Sequence, residues 1–390
     1  MRASLLTGGQ DPHYAVGLAR ALADHGVTLD VIGSDELEDA GFDYPGIRFL
    51  NLRGSASGQG SAARKALTLC MCYARLLLYA ATSPNVVFHI LWNTRIEWFD
   101  RTFLMFAYRL FGHRVLITAH NVNAARRDGA DGWLNRLTLR IQYHLCDGIF
   151  VHTPRMSEEL QSDFGVPRDR ILEITYAVND VVPRRHVTRD FARESLGLKP
   201  SDRVLLFFGN IAPYKGLDQL VQTLKDLTER SRDYHLLVAG QPKRFGSSYW
   251  QDIKRYIETA SLDDHVSLHI KHIPDHEIEV YFVAADLLVL PYVEIFQSGV
   301  LFLGYRFGVP VVATDVGSLR ESVIDGVTGY VCAKGDRGAL TAAIERFFAG
   351  PIFAAGGVAR DVIAKRFEEC HSWSQAAATI VETYSKAGRP

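Results

Sequence analysis

Three things are scarce in this sequence, and each scarcity removes a class of protein. Its five cysteines, Cys70, Cys72, Cys146, Cys332 and Cys370, are odd in number and form no CxxC pair, so neither a disulfide framework nor a zinc site is expected. Net charge is nearly absent: 43 Lys and Arg stand against 44 Asp and Glu, a balance of -1. That balance excludes a general nucleic-acid binder and makes any basic partner site local. Long apolar runs are missing too. The stretch 66–81 carries Arg75 and falls short of the roughly 18–20 residues a bilayer span requires, so a buried or interfacial helix is expected there. The opening MRASLLTGG enters a glycine turn too early for a signal peptide, and a reducing, cytoplasmic setting is expected.

What is present is alternation. SLLT is followed by the loop GGQDPH and a helical pattern through Leu22, and VTLDVIG, NVVFHI, RVLITAH and GIFVH recur as short β-rich runs between longer helical ones. Strands separated by helices pair in parallel, with the crossovers covering both sheet faces. A polar, Arg-rich stretch with Pro183 and Pro200 then reads as an interdomain connection. A second series follows: VLLFFG, YHLLVAG, VSLHI, DLLVLP and VPVVAT as strands, with helices starting near Leu217, Ser248, Asp275 and Gly299. At 390 residues, 47% of them hydrophobic, the chain suits two mid-size cores with a cleft. The expectation is two doubly wound α/β domains, 1–180 and 202–365, joined by 181–201. A final helix over 366–390 is expected to pack on one or the other.

In doubly wound sheets, ligands sit outside the carboxyl ends of strands, so motifs are weighed by that placement. FFGNIAPYKG passes: Gly209 and Asn210 follow a strand, Gly216 opens the next helix, and Lys215 stands beside free helix amides that favour a phosphate. A tight turn with a surface lysine fits equally well, and the glycine spacing is not that of a Walker loop. In LPYVEIFQSGVLFLGYRFGVPVVATDVGSLRE, residues 290–321, a polar turn carries Gln297, Ser298 and Gly299. The amides of Ser298, Gly299 and Val300 would point at an occupant, or Ser298 is only an N-cap and Gly299 a packing residue. Both turns fall on one sheet edge, which favours a diphosphate site. TAHNVN, 118–123, places His120 at a strand's carboxyl end, where it transfers a proton, hydrogen-bonds a ligand or is structural. Gly8, Gly9 and His13 have the same placement after the first strand, as close backbone approach or as a turn. His269, Lys271 and His272 follow a strand of the second half, where they face a base, are buried or are solvated.

Taken in order, GG, TAHN, CDGIFVHTPRMSEELQSDFGVPRDRI, FFGNIAPYKGLDQL, LLVAG, AADLLVLPY, QSGVLFLGYRFGVPVVATDVGSLRE and DGVTGYV resemble the retaining family 4 glycosyltransferases of the two-Rossmann-domain (GT-B) type. The resemblance runs over nearly the whole chain, and the QSG turn is similar to that of a branch resembling bacterial polysaccharide assembly enzymes. It implies a nucleotide-diphosphate sugar as co-substrate and neither a metal nor another cofactor. Lys215 is implied on the donor's diphosphate, His120 near the donor sugar and reaction centre, and Gly8 and Gly9 beneath sugar and diphosphate. Gly209, Asn210, Gln297, Ser298, Gly299 and Val300 would complete the donor site, with His13 and Asn121 toward the acceptor. Two glutamates of many members fall on Ile295 and Leu303, while Glu294, one residue off register, is the remaining candidate sugar contact. The arginine that often precedes the lysine is replaced, with Asn210 and Ala212 at the candidate places.

The resemblance also implies retention of configuration, with the acceptor hydroxyl attacking from the leaving group's side and a donor phosphate oxygen taking its proton. The acceptor, a glycan or a lipid-diphosphate-linked molecule, is expected on the first domain. Between Arg48 and Arg155 there are 14 Lys and Arg against 5 Asp and Glu, interleaved with WNTRIEWFDRTFLMFAYRLFG. That mixture suits an anionic membrane surface and a peripheral location on its inner face, or simply amphipathic core helices with solvated arginines. A noncatalytic nucleotide-sugar or glycan-binding protein and a sugar-nucleotide epimerase share the architecture.

Overall fold

A computed structural model of the chain describes residues 1–8, 11–54, 62–127, 130–177, 182–242 and 248–387. The chain divides into two compact units, Met1–Asn179 with His371–Pro390, and Asp180–Cys370. Unit 1 carries seven strands, β1 (Arg2–Leu6), β2 (Thr28–Gly33), β3 (Ile47–Asn51), β4 (Val87–Ile90), β5 (Arg114–Thr118), β6 (Gly148–Val151) and β7 (Ile171–Glu173). Their order is β3-β2-β1-β4-β5-β6-β7, and every pairing is parallel. Unit 2 carries β8 (Arg203–Phe208), β9 (Tyr234–Ala239), β10 (Val266–His269), β11 (Leu287–Leu290), β12 (Val311–Thr314) and β13 (Gly329–Cys332). These are also parallel, in the order β10-β9-β8-β11-β12-β13. Each unit is thus a doubly wound Rossmann-like sheet whose strand order reverses at one place, β1/β4 or β8/β11.

The central strands are the apolar runs of the sequence because helices cover them on both faces. In β8 every residue from Val204 to Phe208 is buried, and β11 is buried throughout. The helices of unit 2 begin where expected, at Leu217, Ser248, Asp275 and Gly299. Three strands escaped the pattern: β3, β7 and β13 all lie at sheet edges. An edge strand is covered less completely, so its apolar positions are fewer; β3 has no fully buried residue.

The Arg-rich stretch read as a connection is packed onto unit 2. Thr188 caps a helix, Arg189–Ser195, and Arg193 donates to the Asp286 carboxylate at 2.8 Å with both side chains buried. Arg193 also donates to the carbonyls of Ala284, Lys199 and Pro200. Arg193 therefore satisfies internal acceptors, while Arg184, Arg185 and Arg189 stay exposed.

The C-terminal helical pattern is broken into Gly357–Cys370 and Trp373–Ala387. His371 leaves the helix to hydrogen-bond the Tyr176 carbonyl at 2.9 Å, and Ser372 accepts from the Gln375 amide to start the second helix. That second helix belongs to unit 1. Tyr384 bonds the buried His89 imidazole at 2.7 Å, and the Trp373 ring lies 2.4 Å from where a Cβ on Gly17 would be. Helix 12–24 can approach so closely only because position 17 has no side chain.

Candidate active site

In unit 2 the candidate donor residues gather at the β8/β11 reversal. After β8 the chain turns at Gly209 (φ +95°), passes a single 3-10 turn over Pro213–Lys215 and enters helix Leu217–Arg230 through Gly216 (φ +67°). The turn swings Lys215 back toward the strand end. The residue is 7% exposed, and Nζ lies 5.6 Å from the centre of the Tyr292 ring. It is also 3.0 Å from the point a Cβ on Gly209 would occupy; Val300 Cγ2 is 3.5 Å from the same point. Gly209, Lys215 and Val300 therefore converge on one small volume that only a glycine leaves open.

The second turn, 291–298, is held from both sides. Val293 donates its amide to the Tyr214 carbonyl at 2.8 Å, Thr314 Oγ1 donates to the Tyr292 carbonyl at 2.6 Å, and Ser318 donates from both its amide and its hydroxyl to Phe296 at 2.9 Å. Gly317 (φ +57°) lets that clamp close, since a Cβ there would sit 2.1 Å from the Ile295 carbonyl oxygen. Ser298 is the N-cap of helix Gly299–Arg306: its buried hydroxyl accepts from the Leu301 amide at 3.4 Å and lies 3.3 Å from Tyr292 Oη. The amides of Gly299 and Val300 precede the first closed turn, where helix N–H groups lack intrahelical acceptors and the macrodipole is positive. So Ser298 is a cap and its helix start is also an anion-ready end.

The remaining candidates are placed less centrally. Gln297 is half-buried, and its Oε1 is buried without a hydrogen-bond partner among the described residues. Asn210 and Glu294 are exposed. Ile295 and Leu303, where the family's glutamates would stand, are half-buried. His269 lies at the end of β10, two strands from the reversal, and Lys271 is paired with Glu277 at 2.6 Å.

Unit 1 has its own cluster at the β1/β4 reversal. Gly8 (φ +61°) ends β1 so close to the loop after β4 that a Cβ would lie 2.5 Å from Trp92 Cβ. Trp92 in turn stacks on His120 with centroids 4.2 Å apart and planes 7° apart, while Tyr14 meets the imidazole edge-on at 4.5 Å. His120 Nε2 is buried with no hydrogen-bond partner among the described residues. Burial, followed by the neighbouring His152 and His89, pushes its pKa well below the ordinary histidine value. The ring is therefore neutral at pH 7 and can donate or accept a hydrogen bond without carrying charge. His13 is half-buried in the first helical turn and Asn121 half-buried after β5. Gly9 lies outside the described residues. Trp92, Tyr14 and the Thr314–Ser318 clamp were not singled out from the sequence; Trp92 directly follows the apolar run VVFHIL, a strand-end position of the kind that marked His120.

Two family models cover the chain: Glycosyltransferase Family 4 matches residues 12–180, and Glycosyl transferases group 1 matches residues 188–369. D-inositol 3-phosphate glycosyltransferase 2 of Catenulispora acidiphila is 30% identical over 247 residues, covering 62% of this chain and 56% of the relative. The D-inositol 3-phosphate glycosyltransferase of Rhodococcus erythropolis is 30% identical over 244 residues, 62% of this chain and 54% of the relative. The chain spans about half the length of the curated relatives it matches. In fold it is similar to sucrose-phosphate synthase of Thermosynechococcus elongatus (TM-score 0.79, 20% identity, 99% of this chain and 98% of that one). It is also similar to HepE of Anabaena, solved with UDP (TM-score 0.74, 15% identity, 99% and 100%) and with UDP-glucose (0.73, 14%, 99% and 100%).

Proposed function

The chain belongs to the group 1 and family 4 glycosyltransferases of GT-B architecture, and from that premise we propose that it moves a sugar, with retention, from a nucleotide diphosphate to a hydroxyl of a glycan or lipid-linked acceptor. The observation that carries this reading is the convergence of Lys215, Gly209 and Val300 at the start of helix Gly299–Arg306. Cleaving the bond between the anomeric carbon and phosphate leaves growing negative charge on the diphosphate. An ammonium group and preorganised amides that meet this charge lower the barrier more than contacts that only bind the donor. These donors supply the positive charge from the chain itself, so no metal is assigned a role. The acceptor oxygen attacks the anomeric carbon from the leaving group's face, and its proton passes to a phosphate oxygen. In unit 1 the neutral His120 ring, its orientation fixed by Trp92 and Tyr14, is available to hydrogen-bond a sugar hydroxyl.

Unit 1 offers the acceptor a surface. The helical segment 97–111 buries Leu104, Met105, Ala107 and Tyr108 on one side and exposes Trp98, Phe103, Phe106 and Leu110 on the other. Helix Trp133–Leu145 adds exposed Trp133, Leu134 and Leu137, and helix Ala62–Thr82 adds Leu67, Met71 and Leu78. Exposed Arg75, Arg109, Arg136 and Arg140 stand among them. Apolar anchors interleaved with arginines fit the headgroup boundary of an anionic bilayer, so peripheral docking on the inner membrane face belongs to this proposal. Among the described residues no single helix is long and apolar enough to cross a membrane.

A thermal-shift screen of nucleoside diphosphates and their sugar conjugates, repeated on Lys215→Met, tests the donor site. Stabilisation by one nucleotide class that the substitution removes is expected. Equal stabilisation of both proteins would overturn the assignment.

A further inference from the structure

Helix Trp373–Ala387 reaches the surroundings of His120 by two routes, both inside unit 1. The first is a line of buried polar groups. Tyr384 Oη lies 2.7 Å from His89 Nδ1, and His89 Nε2 lies 2.8 Å from Thr118 Oγ1. Thr118, the last residue of β5, also hydrogen-bonds the phenol of Tyr14. Tyr14 then meets the His120 imidazole edge-on, with centroids 4.5 Å apart and planes at 88°. The second route is packing. The Trp373 ring stands edge-on to Tyr14 at 5.0 Å, and Tyr176, whose carbonyl holds His371, tilts against Tyr14 at 5.7 Å.

The polar line has a direction. Burial pushes the His89 pKa down to about 3, so the ring is neutral at pH 7, with one nitrogen donating and the other accepting. Donation therefore runs one way through both of its hydrogen bonds, and the hydroxyls of Tyr384 and Thr118 take matching orientations. His89, Thr118 and Tyr384 are each no more than 1% exposed, so solvent does not compete for these bonds. Phe and Leu would fill the same space with no polar groups to desolvate. The net stability gained from such bonds is modest; what a satisfied buried network adds is a single arrangement of its members. His120 Nε2, by contrast, has no hydrogen-bond partner among the described residues. No bond to that nitrogen turns the ring, and contact with Trp92 and Tyr14 sets its plane.

We propose that Tyr384, His89 and Thr118 are positioning residues for sugar transfer: they set Tyr14, and Tyr14 sets the His120 ring. Trp373 supports Tyr14 by contact. The carboxyl-terminal helix then tunes the reaction centre of unit 1, besides covering helix Pro12–Asp24. This rests on the reading of His120 as a sugar contact, and it adds what turns that side chain.

The test uses the full chain and Tyr384→Phe, which removes one hydroxyl and keeps the ring. Turnover is read as nucleoside diphosphate released from UDP-glucose, ADP-glucose and GDP-mannose, and the His120 imidazole by NMR on a chain carrying isotope-labelled histidine. Tyr384→Phe is expected to lower kcat roughly ten-fold with donor KM unchanged, and to move the His120 signals as well as those of His89. Added to His120→Ala, it is expected to cost nothing further. Thr118→Val should repeat these losses, and Thr118→Ser, which keeps the hydroxyl, should recover most of the turnover; that pair decides if Tyr384→Phe does not fold. His89 signals that move while those of His120 stay in place, or an equal loss of turnover with and without His120, would overturn the proposal and reduce Tyr384 to a core contact. The imidazole signals need no donor, so they decide even for a chain that turns over none of the three nucleotide sugars. His120→Ala with wild-type kcat would instead overturn the sugar-contact reading beneath the proposal, whatever Tyr384→Phe does.

Discussion

Gly216 and Pro291 lock the two halves of the donor site together: a Cβ on Gly216 would lie 2.0 Å from the Pro291 carbonyl oxygen. The turn after β8 and the turn after β11 therefore touch backbone to backbone. Gly216 also has φ +67°, a region that costs an L-residue about 1–2 kcal/mol before any clash. Gly216→Ala should destabilise unit 2 by roughly 3 kcal/mol or more, read as a lower urea midpoint, and should weaken nucleotide binding in parallel. Unchanged stability would mean that the two turns separate freely.

Lys215→Met keeps the length of the aliphatic stem and removes the ammonium group. If Lys215 meets charge that develops on the diphosphate, turnover should fall about 10²–10³-fold, with little change in melting temperature. Nucleoside diphosphate release under saturating donor and acceptor is the measurement. A loss confined to donor KM would reduce Lys215 to a binding contact.

Acid should weaken unit 1 before carboxylates titrate. Burial pushes the pKa of His89 down to about 3 and that of His152 down to about 4 from an ordinary 6.5, and lowers that of His120 as well. Below pH 6.5 the unfolded chain binds protons that the folded unit refuses, so stability falls as pH drops and the loss for His152 levels off near pH 4. The slope is ~1.4 kcal/mol per pH unit for each such histidine. Urea unfolding at several values between pH 7.5 and 5 should display it, and His152→Phe should flatten it by about one histidine's share. A profile identical to wild type would remove His152 from the account.

Phe103→Glu combined with Phe106→Glu changes two exposed side chains and leaves the buried side of their helix intact. In a flotation assay the wild-type chain should rise with anionic vesicles and the double variant should stay behind. Flotation of neither protein would confine the aromatic stripe to some other contact.

The central strands and the helix starts of unit 2 were legible because burial on both faces forces an uninterrupted apolar run, and a run of that kind is visible one residue at a time. The lysine turn was legible for a local reason too: Gly209 and Gly216 permit the positive φ the turn uses, and Pro213 fixes φ at the start of the 3-10 turn. Three of the four edge strands, β3, β7 and β13, were not, since each has a neighbour on one side only, although the fourth, β10, was read as VSLHI. Nor were the stacking of Trp92 on His120 and the close approach of Gly8 to Trp92. Those depend on parallel register between strands far apart in sequence, and no local spacing records it. Nor did any local spacing record the acceptors of 184–193: Arg189 and Arg193 reach Asp286, some ninety positions downstream, and Arg184 reaches the Arg306 carbonyl.

The hydrogen bond between His89 and Tyr384 joins residues 295 positions apart. The amino-terminal sheet therefore leaves the ribosome early but waits for helix Trp373–Ala387 before Gly17 and His89 acquire their covers. Throughout synthesis of unit 2, which is contiguous, the earlier half must persist with one face of its Pro12–Asp24 helix unsealed, a surface open to chaperones or to the same helix of another nascent chain.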